Sequence, residues 1–337
     1  MSPTEIHQLN LGPITAHAFN KDRTQVAACP NNNEVHIYQK SGKTWNLIHA
    51  LAEDRNAYVW NFDPVTNKWK PTLVLLRINR AATFVRWSPH ENKFAVASGA
   101  RCIAICYFDD ENDWWNSKQL KKPIRSTVLS LDWHPNNVLL AAGCADFKAR
   151  VFSAFIKGVD QKPPPTPWGD KLPFNTICGE FSNDSGGWIH SVAFSPNGDA
   201  LAFSGHDSQI CIAYAGSGIQ NIRTIGLPYL SLLWITEEKL IAAGYDCVPV
   251  LFEKQGQQWK FSKVIDVGKK KVTTEATAFN RFQEWDSKGI QSRESGKETE
   301  LNAVHQNTIT SIRSYQGPRH DISHFSSSGV DGKLVIW

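Results

Sequence analysis

The chain has 337 residues, of which 41% are hydrophobic and 11% aromatic, with 13 Trp, 17 Phe and 7 Tyr; a load of rigid aromatics this large excludes an intrinsically disordered chain. A net charge of +4, with Lys and Arg spread along the sequence, does not mark a nucleic-acid binder, and no apolar run approaches the roughly 18 residues that a membrane span needs. The N-terminal residues show no basic-then-apolar secretion pattern, and the seven Cys form no Cys-x-x-Cys pair, so free thiols in a reducing compartment are expected rather than a zinc or disulfide framework.

One pattern recurs along the chain. A strand ends in Trp or Phe, often before Ser-Pro or His-Pro; a small-residue strand follows and ends near Gly; a turn with Asp or Asn leads into a strand that closes on an aromatic. The first copy runs from His17-Ala18-Phe19 through Asn32 to Ile37-Tyr38. Later copies begin at Val85-Arg86-Trp87-Ser88-Pro89, at Leu131-Asp132-Trp133-His134-Pro135, at Val192-Ala193-Phe194-Ser195-Pro196 and at Leu232-Leu233-Trp234. The final copy ends in Asp331-Gly332-Lys333-Leu334-Val335-Ile336-Trp337. Asp54 and Trp60 are spaced like Asp146 and Phe152, Asp246 and Phe252, and Asp331 and Trp337. Short Val-, Ile- and Ala-rich strands at a period near 40 residues predict an all-β, WD-type β-propeller, a single domain over 1–337. The last copy stops after its third strand, so residues near His7 to Leu9 are expected to supply the fourth and close the ring.

The turn aspartates read as acceptors of backbone N–H groups in tight turns. His17, His134, His190 and His206 read as hydrogen-bonding residues of turns and strand ends. No G-x-S-x-G, phosphate-binding loop, H-E-x-x-H or dense carboxylate cluster is present, so neither catalysis nor a cofactor or metal is expected.

The repeat breaks in four places. Tyr38 to Trp60 is about half a period, as though one blade kept its turn and third strand without its first two. Lys118, Lys121, Lys122 and Arg125, with Arg77, Arg80 and Arg86 upstream, form a basic group that a rim could present to an acidic partner or leave in solvent. Lys162 to Gly169 holds a Pro-x-x-Pro spacing, read either as a weak recognition motif or as a stiff loop packed by Trp168. From Phe252 to Trp337 the step is long and holds a polar insertion at about Gly268 to His305. Within it, Phe279, Phe282 and Trp285 recur every three residues, which predicts a short helix over about 277–287 with one aromatic side. That side could anchor a partner or fold back onto its own blade.

The strings Asp54-Arg55-Asn56-Ala57-Tyr58-Val59, Leu76-Arg77-Ile78-Asn79-Arg80-Ala81-Ala82, Glu111-Asn112-Asp113-Trp114-Trp115 and Pro123-Ile124-Arg125-Ser126-Thr127-Val128 resemble the WD-repeat subunit 1 family of the actin-related protein 2/3 complex. The resemblance covers nearly the whole chain and includes the loops as well as the blades. It implies a seven-bladed propeller, with the second blade incomplete here, acting as a non-enzymatic scaffold in actin filament nucleation and branching. It implies the other subunits of that complex and the actin filament as partners, in the cytoplasm and its cortical actin structures. It also implies that the inserted helix protrudes toward the mother filament, which gives Phe279, Arg281, Phe282 and Trp285 as the candidate actin-contacting residues. A free-standing WD adaptor reading peptides of other partners is the alternative.

Overall fold

The computed structural model describes the chain except for Met1, Asn33, Lys171, Asp184 and the segments 53–56 and 267–300. Among the described residues the strands form six sheets arranged as a propeller. β1 (Glu5–Gln8) stands apart in sequence from its sheet, whereas β2 (Ile14–Phe19), β3 (Gln25–Pro30), β4 (Glu34–Ser41) and β5 (Thr44–Ala52) make the next sheet as an antiparallel meander. β6 (Ala57–Asp63) and β7 (Lys68–Val74) form a hairpin, followed by the meander β8 (Ala82–Trp87), β9 (Lys93–Ser98), β10 (Ile103–Asp109) and β11 (Trp114–Leu120).

The regular part continues with β12 (Val128–Trp133), β13 (Leu139–Cys144), β14 (Lys148–Ser153) and β15 (Ile177–Ser182), then β16 (Ile189–Phe194), β17 (Ala200–Gly205), β18 (Gln209–Tyr214) and β19 (Gly218–Arg223). β20 (Tyr229–Thr236), β21 (Lys239–Gly244), β22 (Val250–Gln255) and β23 (Gln258–Val264) make the fifth sheet. β24 (Ile309–Gln316), β25 (His324–Gly329) and β26 (Lys333–Ile336) make the last. β1 completes that last sheet, pairing antiparallel with β26 from Glu5 opposite Ile336 to Gln8 opposite Lys333. The expected closing strand therefore forms, but over Glu5–Gln8, shifted toward the N-terminus from the expected His7 to Leu9, and it ties the chain's beginning to its end.

The turns show why this sequence makes blades. Between the second and third strands of successive sheets, Arg101, Phe147, Ser208 and Cys247 adopt φ of +59°, +69°, +61° and +62°, and Gly332 occupies the same place at +73°. A side chain that holds a left-handed turn is disfavoured by roughly 1 kcal/mol, so the hydrogen bonds on either side must fix it. In the last blade, where glycine takes the left-handed place without that penalty, the Asp331 carboxylate accepts from the backbone N–H of Gln306 at 2.9 Å and of Lys333 at 3.2 Å. Asp146 departs from the backbone-acceptor expectation, because both its oxygens take the guanidinium of Arg150 at 3.0 and 2.9 Å.

The wedges from the β8–β11 meander round to the β2–β5 sheet are each filled by an apolar cluster. Ile105, Leu120, Leu131, Trp133 and Leu140 fill one, and Val192, Phe194 and Leu201 join Leu139 and Val151 in the next. The inner strands β8, β12, β16, β20, β24 and β2 pack one against the next. Where that succession ends, the β6–β7 hairpin takes over. It is joined to the outer strand β11 by a single parallel pairing, Trp115 to Val74. Val74, Ala57 and Val59 pack with Phe94, Val96, Ala104 and Cys106 of β9 and β10 in the same six-stranded sheet. Nothing of the hairpin reaches as far in as β8, so Val85 and Trp87 are 59% and 44% exposed, whereas Trp133 and Trp234 are 1% and 4% exposed. Trp87 is thus not the buried wedge that its place in the repeat predicts; its ring leans instead on Phe94 and Trp115, with centroids 4.9 and 5.8 Å away.

Candidate functional site

The insertion leaves and re-enters the propeller through a fixed base. Ile265 donates to Pro249 O at 2.9 Å, and the Asp266 carboxylate accepts the N–H of Val304 at 2.6 Å, which holds the two ends together. Immediately after this, His305 is fully buried. Its Nδ1 contacts the Asp331 carboxylate at 3.1 Å and its Nε2 the Ser327 hydroxyl at 2.8 Å, while Trp337 Nε1 donates to the same hydroxyl at 2.8 Å. Burial opposes the charge on Asp331, but the His305 imidazole and two backbone N–H groups hold its carboxyl below the usual range. His305 thus belongs to the blade rather than to the insertion. The candidate residues Phe279, Arg281, Phe282 and Trp285, and the helix expected over about 277–287, lie outside the described residues.

The basic group read from the sequence does not stay together. Arg86 points from β8 into the central channel, where its Nε meets Asp132 at 3.0 Å. The other Asp132 oxygen accepts the Phe194 N–H at 2.7 Å. Arg319 donates to Trp133 O at 3.3 Å, and Arg313 to His17 O at 3.4 Å. Burial, and the Arg86 charge nearby, push the Arg313 pKa down to about 10. Burial, reinforced by the Arg313 charge, holds His17 neutral with a pKa of about 3; its two nitrogens sit 2.8 Å from the hydroxyls of Ser326 and Ser328. Lys118 lies against the rings of Tyr107 and Phe174 instead. Arg77, Lys121 and Lys122 do remain together, joined by Arg101, around a cavity of about 490 Å³. Three separate chain segments build that cavity, which is why the sequence did not single out Arg101.

A second cavity, of about 650 Å³, opens beside the Pro-rich loop and is lined by His90, His134, Asn136, Lys162, Pro163 and Pro164. Beneath it the Lys93 ammonium is fully buried between Asp160 and Ala154 O, and Asn137 donates to both Asp160, at 3.0 Å, and Asn92, at 3.1 Å. Trp168 is 4% exposed and donates to Gly198 O at 2.7 Å, so the stiff-loop reading of that segment describes its indole. Elsewhere His190 and His206 bond to each other at 2.8 Å. Among the described residues no three His, Cys, Asp or Glu side chains gather as a metal set, and no helix is long and apolar enough to cross a membrane. The described surface offers charged pockets and loops, which suit the holding of partners.

Comparison with known proteins gives the context for those surfaces. The family described as WD domain, G-beta repeat matches residues 117–153 and 175–212, which take in β12 to β14 and β15 to β18. A Xenopus laevis protein named actin-related protein 2/3 complex subunit 1A-B is 50% identical, with 98% of this chain and 95% of that protein aligned. The chain belongs to the actin-related protein 2/3 complex subunit 1 family. The Schizosaccharomyces pombe subunit 1 is 44% identical over the whole length of both chains, and its Saccharomyces cerevisiae counterpart is 36% identical over 100% of this chain and 97% of its own.

Proposed function

We propose that this protein is a non-catalytic scaffold subunit of an actin-related protein 2/3 complex, taking part in actin filament nucleation and branching. The observation that carries the reading is identity of 50% that extends over 98% of the chain, loops included, to a relative named as subunit 1 of that complex. Its partners are then the other subunits of the complex and the actin filament, and its place is the cytoplasmic and cortical actin cytoskeleton. A propeller suits the task, because short loops on a rigid ring of blades hold several neighbours at fixed angles.

Within that reading the insertion that ends before His305 is the filament-contacting arm. Phe279, Phe282 and Trp285 make the apolar side of its helix, and Arg281 stands beside them facing an acidic surface. The paired base at Asp266 and Val304 supports an arm projecting from one fixed point. The β6–β7 hairpin is the outer half of a seventh blade whose two inner strands are missing from this chain. The alignment to the S. pombe relative supports this, since it runs over 382 positions although the chain has 337 residues. So does the exposed edge at Val85 and Trp87.

The test is affinity purification of the tagged full chain followed by identification of what comes down. Two actin-related proteins in stoichiometric amounts are expected. A monomeric chain that binds short peptides and brings down no actin-related protein would establish the adaptor reading in its place. For the arm, a complex carrying Phe279→Ser, Phe282→Ser and Trp285→Ser should assemble but branch poorly; assembly with normal branching removes the helix from the mechanism.

A further inference from the structure

The geometry points to the cavity between residues 77–79, 100–102 and 119–124 as a binding site for a compact, multiply phosphorylated ligand. Four cationic side chains, Arg77, Arg101, Lys121 and Lys122, line its volume of about 490 Å³, and among the described residues no carboxylate does. All four are exposed, and among the described residues none of them forms an ion pair. Like charges around one hollow repel each other, by about 1 kcal/mol for a pair 4 Å apart in water. A polyanion seated among them would relieve that repulsion.

The backbone under these side chains is held in advance. The Gln119 amide donates to Leu76 O at 3.0 Å and to Arg77 O at 2.7 Å, and the Ser117 hydroxyl donates to Leu75 O at 2.8 Å. Gly99 donates to Ala81 O at 3.1 Å, and Ile124 to Lys121 O at 2.8 Å. Arg77 and Arg101 both stand on left-handed residues, at φ of +55° and +59°, which turn them out of the strand-end direction. The backbone therefore needs no ordering when a ligand arrives, and the ordering cost falls on the four side chains.

The walls select the ligand's chemistry. Cys102 and Ile124, which touch the cavity, are only 3% and 6% exposed and offer almost no apolar surface. A peptide that needs a hydrophobic anchor gains nothing there. Two guanidinium forks and two ammonium groups match several phosphate groups on one small frame, and Asn79 supplies an amide beside them. The volume falls within the range of small-ligand sites. The same chemistry occurs in a free inositol polyphosphate and in a phosphoinositide headgroup.

The full chain is titrated with inositol hexakisphosphate by calorimetry, and sedimented with phosphatidylcholine vesicles containing either phosphatidylinositol bisphosphate or an equal charge of phosphatidylserine. Saturable one-to-one binding is expected, weakened at least tenfold in Arg77→Gln/Lys121→Gln and in Arg101→Gln/Lys122→Gln. The same loss is not expected in Lys43→Gln/Lys68→Gln, which removes two exposed charges elsewhere. A Tm within a few degrees of the parent confirms folding, and Arg101→Lys, which keeps the charge, should retain most of the affinity. Binding of the free polyphosphate alone assigns a soluble ligand, and bisphosphate-specific vesicle binding assigns a headgroup. Equal loss in the control pair, no change in either cavity variant, no binding of either probe, or equal competition by a Glu-rich peptide would overturn the proposal.

Discussion

The indole of Trp133 on β12 donates a hydrogen bond of 3.0 Å to the backbone carbonyl of Arg86 on β8, one blade back. Trp234 does the same toward Ala193 O at 2.9 Å. In both cases a buried aromatic at the end of an inner strand closes the wedge and satisfies a carbonyl of its neighbour. Trp87 stands at the equivalent place on β8, but beside its sheet lies only the β6–β7 hairpin, paired at the outer strand β11, and Trp87 is 44% exposed.

That difference predicts unequal costs. Trp133→Phe should lower stability by about 1–3 kcal/mol, since it removes the donor to the Arg86 carbonyl and shrinks the buried ring that closes the wedge. Trp87→Phe should change stability by no more than about 0.5 kcal/mol. Urea unfolding of the two variants beside the parent measures both; equal losses would mean that Trp87 is packed as Trp133 is.

The hairpin makes a second prediction. Val74 is 2% exposed and covers Cys106, and burial pushes the Cys106 thiol up to about 12. Maleimide labelling of Cys106 should therefore be slow in the native protein. Val74→Ala should speed it about tenfold through local opening, with a small change in Tm. Rapid labelling of Cys106 in the parent protein would show that the hairpin does not cover that face.

Lys93 and Asp160 test what anchors the segment bearing the Pro-rich loop. Burial pulls the Lys93 pKa down, and the Asp160 carboxylate opposes that pull. Lys93→Met alone strands a buried carboxylate and should cost about 3–5 kcal/mol, whereas the double variant Lys93→Met/Asp160→Leu should recover most of it. A double-mutant cycle by denaturant unfolding reads the coupling, and additive losses would deny the pair any role together.

Acid should weaken the fold before the carboxylates titrate. His17 and His134 have native pKa values of about 3 and about 4, both set first by burial, against 6.5 when unperturbed. Between pH 6.5 and 4 the unfolded chain takes up protons at these imidazoles while the native chain does not. Stability therefore falls as the pH drops through this window, by up to about 1.4 kcal/mol per pH unit for each group. Asp331, lowered below 3.8, loses its contribution only at lower pH. Unfolding at pH 7 and pH 5 should show His134→Gln losing less between the two than the parent does; equal losses would mean that His134 is protonated in the native state.

Much of the fold was legible because blades repeat locally. The aromatic strand ends and the spacing from turn Asp to closing aromatic are properties of one blade at a time, and so is a last copy one strand short. What lay between blades was not legible. Arg86 follows Val85 in the same string as every other copy, yet strand alternation aims it across the channel at Asp132, away from Arg77 and Lys121. Arg101 joins those two only because the turn after β9 folds over the ends of β7 and β11. Asp146 looked like its fellow turn aspartates until Arg150, four residues on, took both its oxygens. The helix expected over about 277–287 was read for the opposite reason, that Phe279, Phe282 and Trp285 fit no blade, and it lies outside the described residues.

The scaffold role is tested most directly by reconstituting a complex of the relatives' kind with this chain as its only subunit 1, and counting branches per length of actin filament by fluorescence microscopy. The account predicts branching that depends on this chain and is absent when it is omitted. Branching that proceeds equally with and without it, or a complex from which the chain is excluded, would contradict the account.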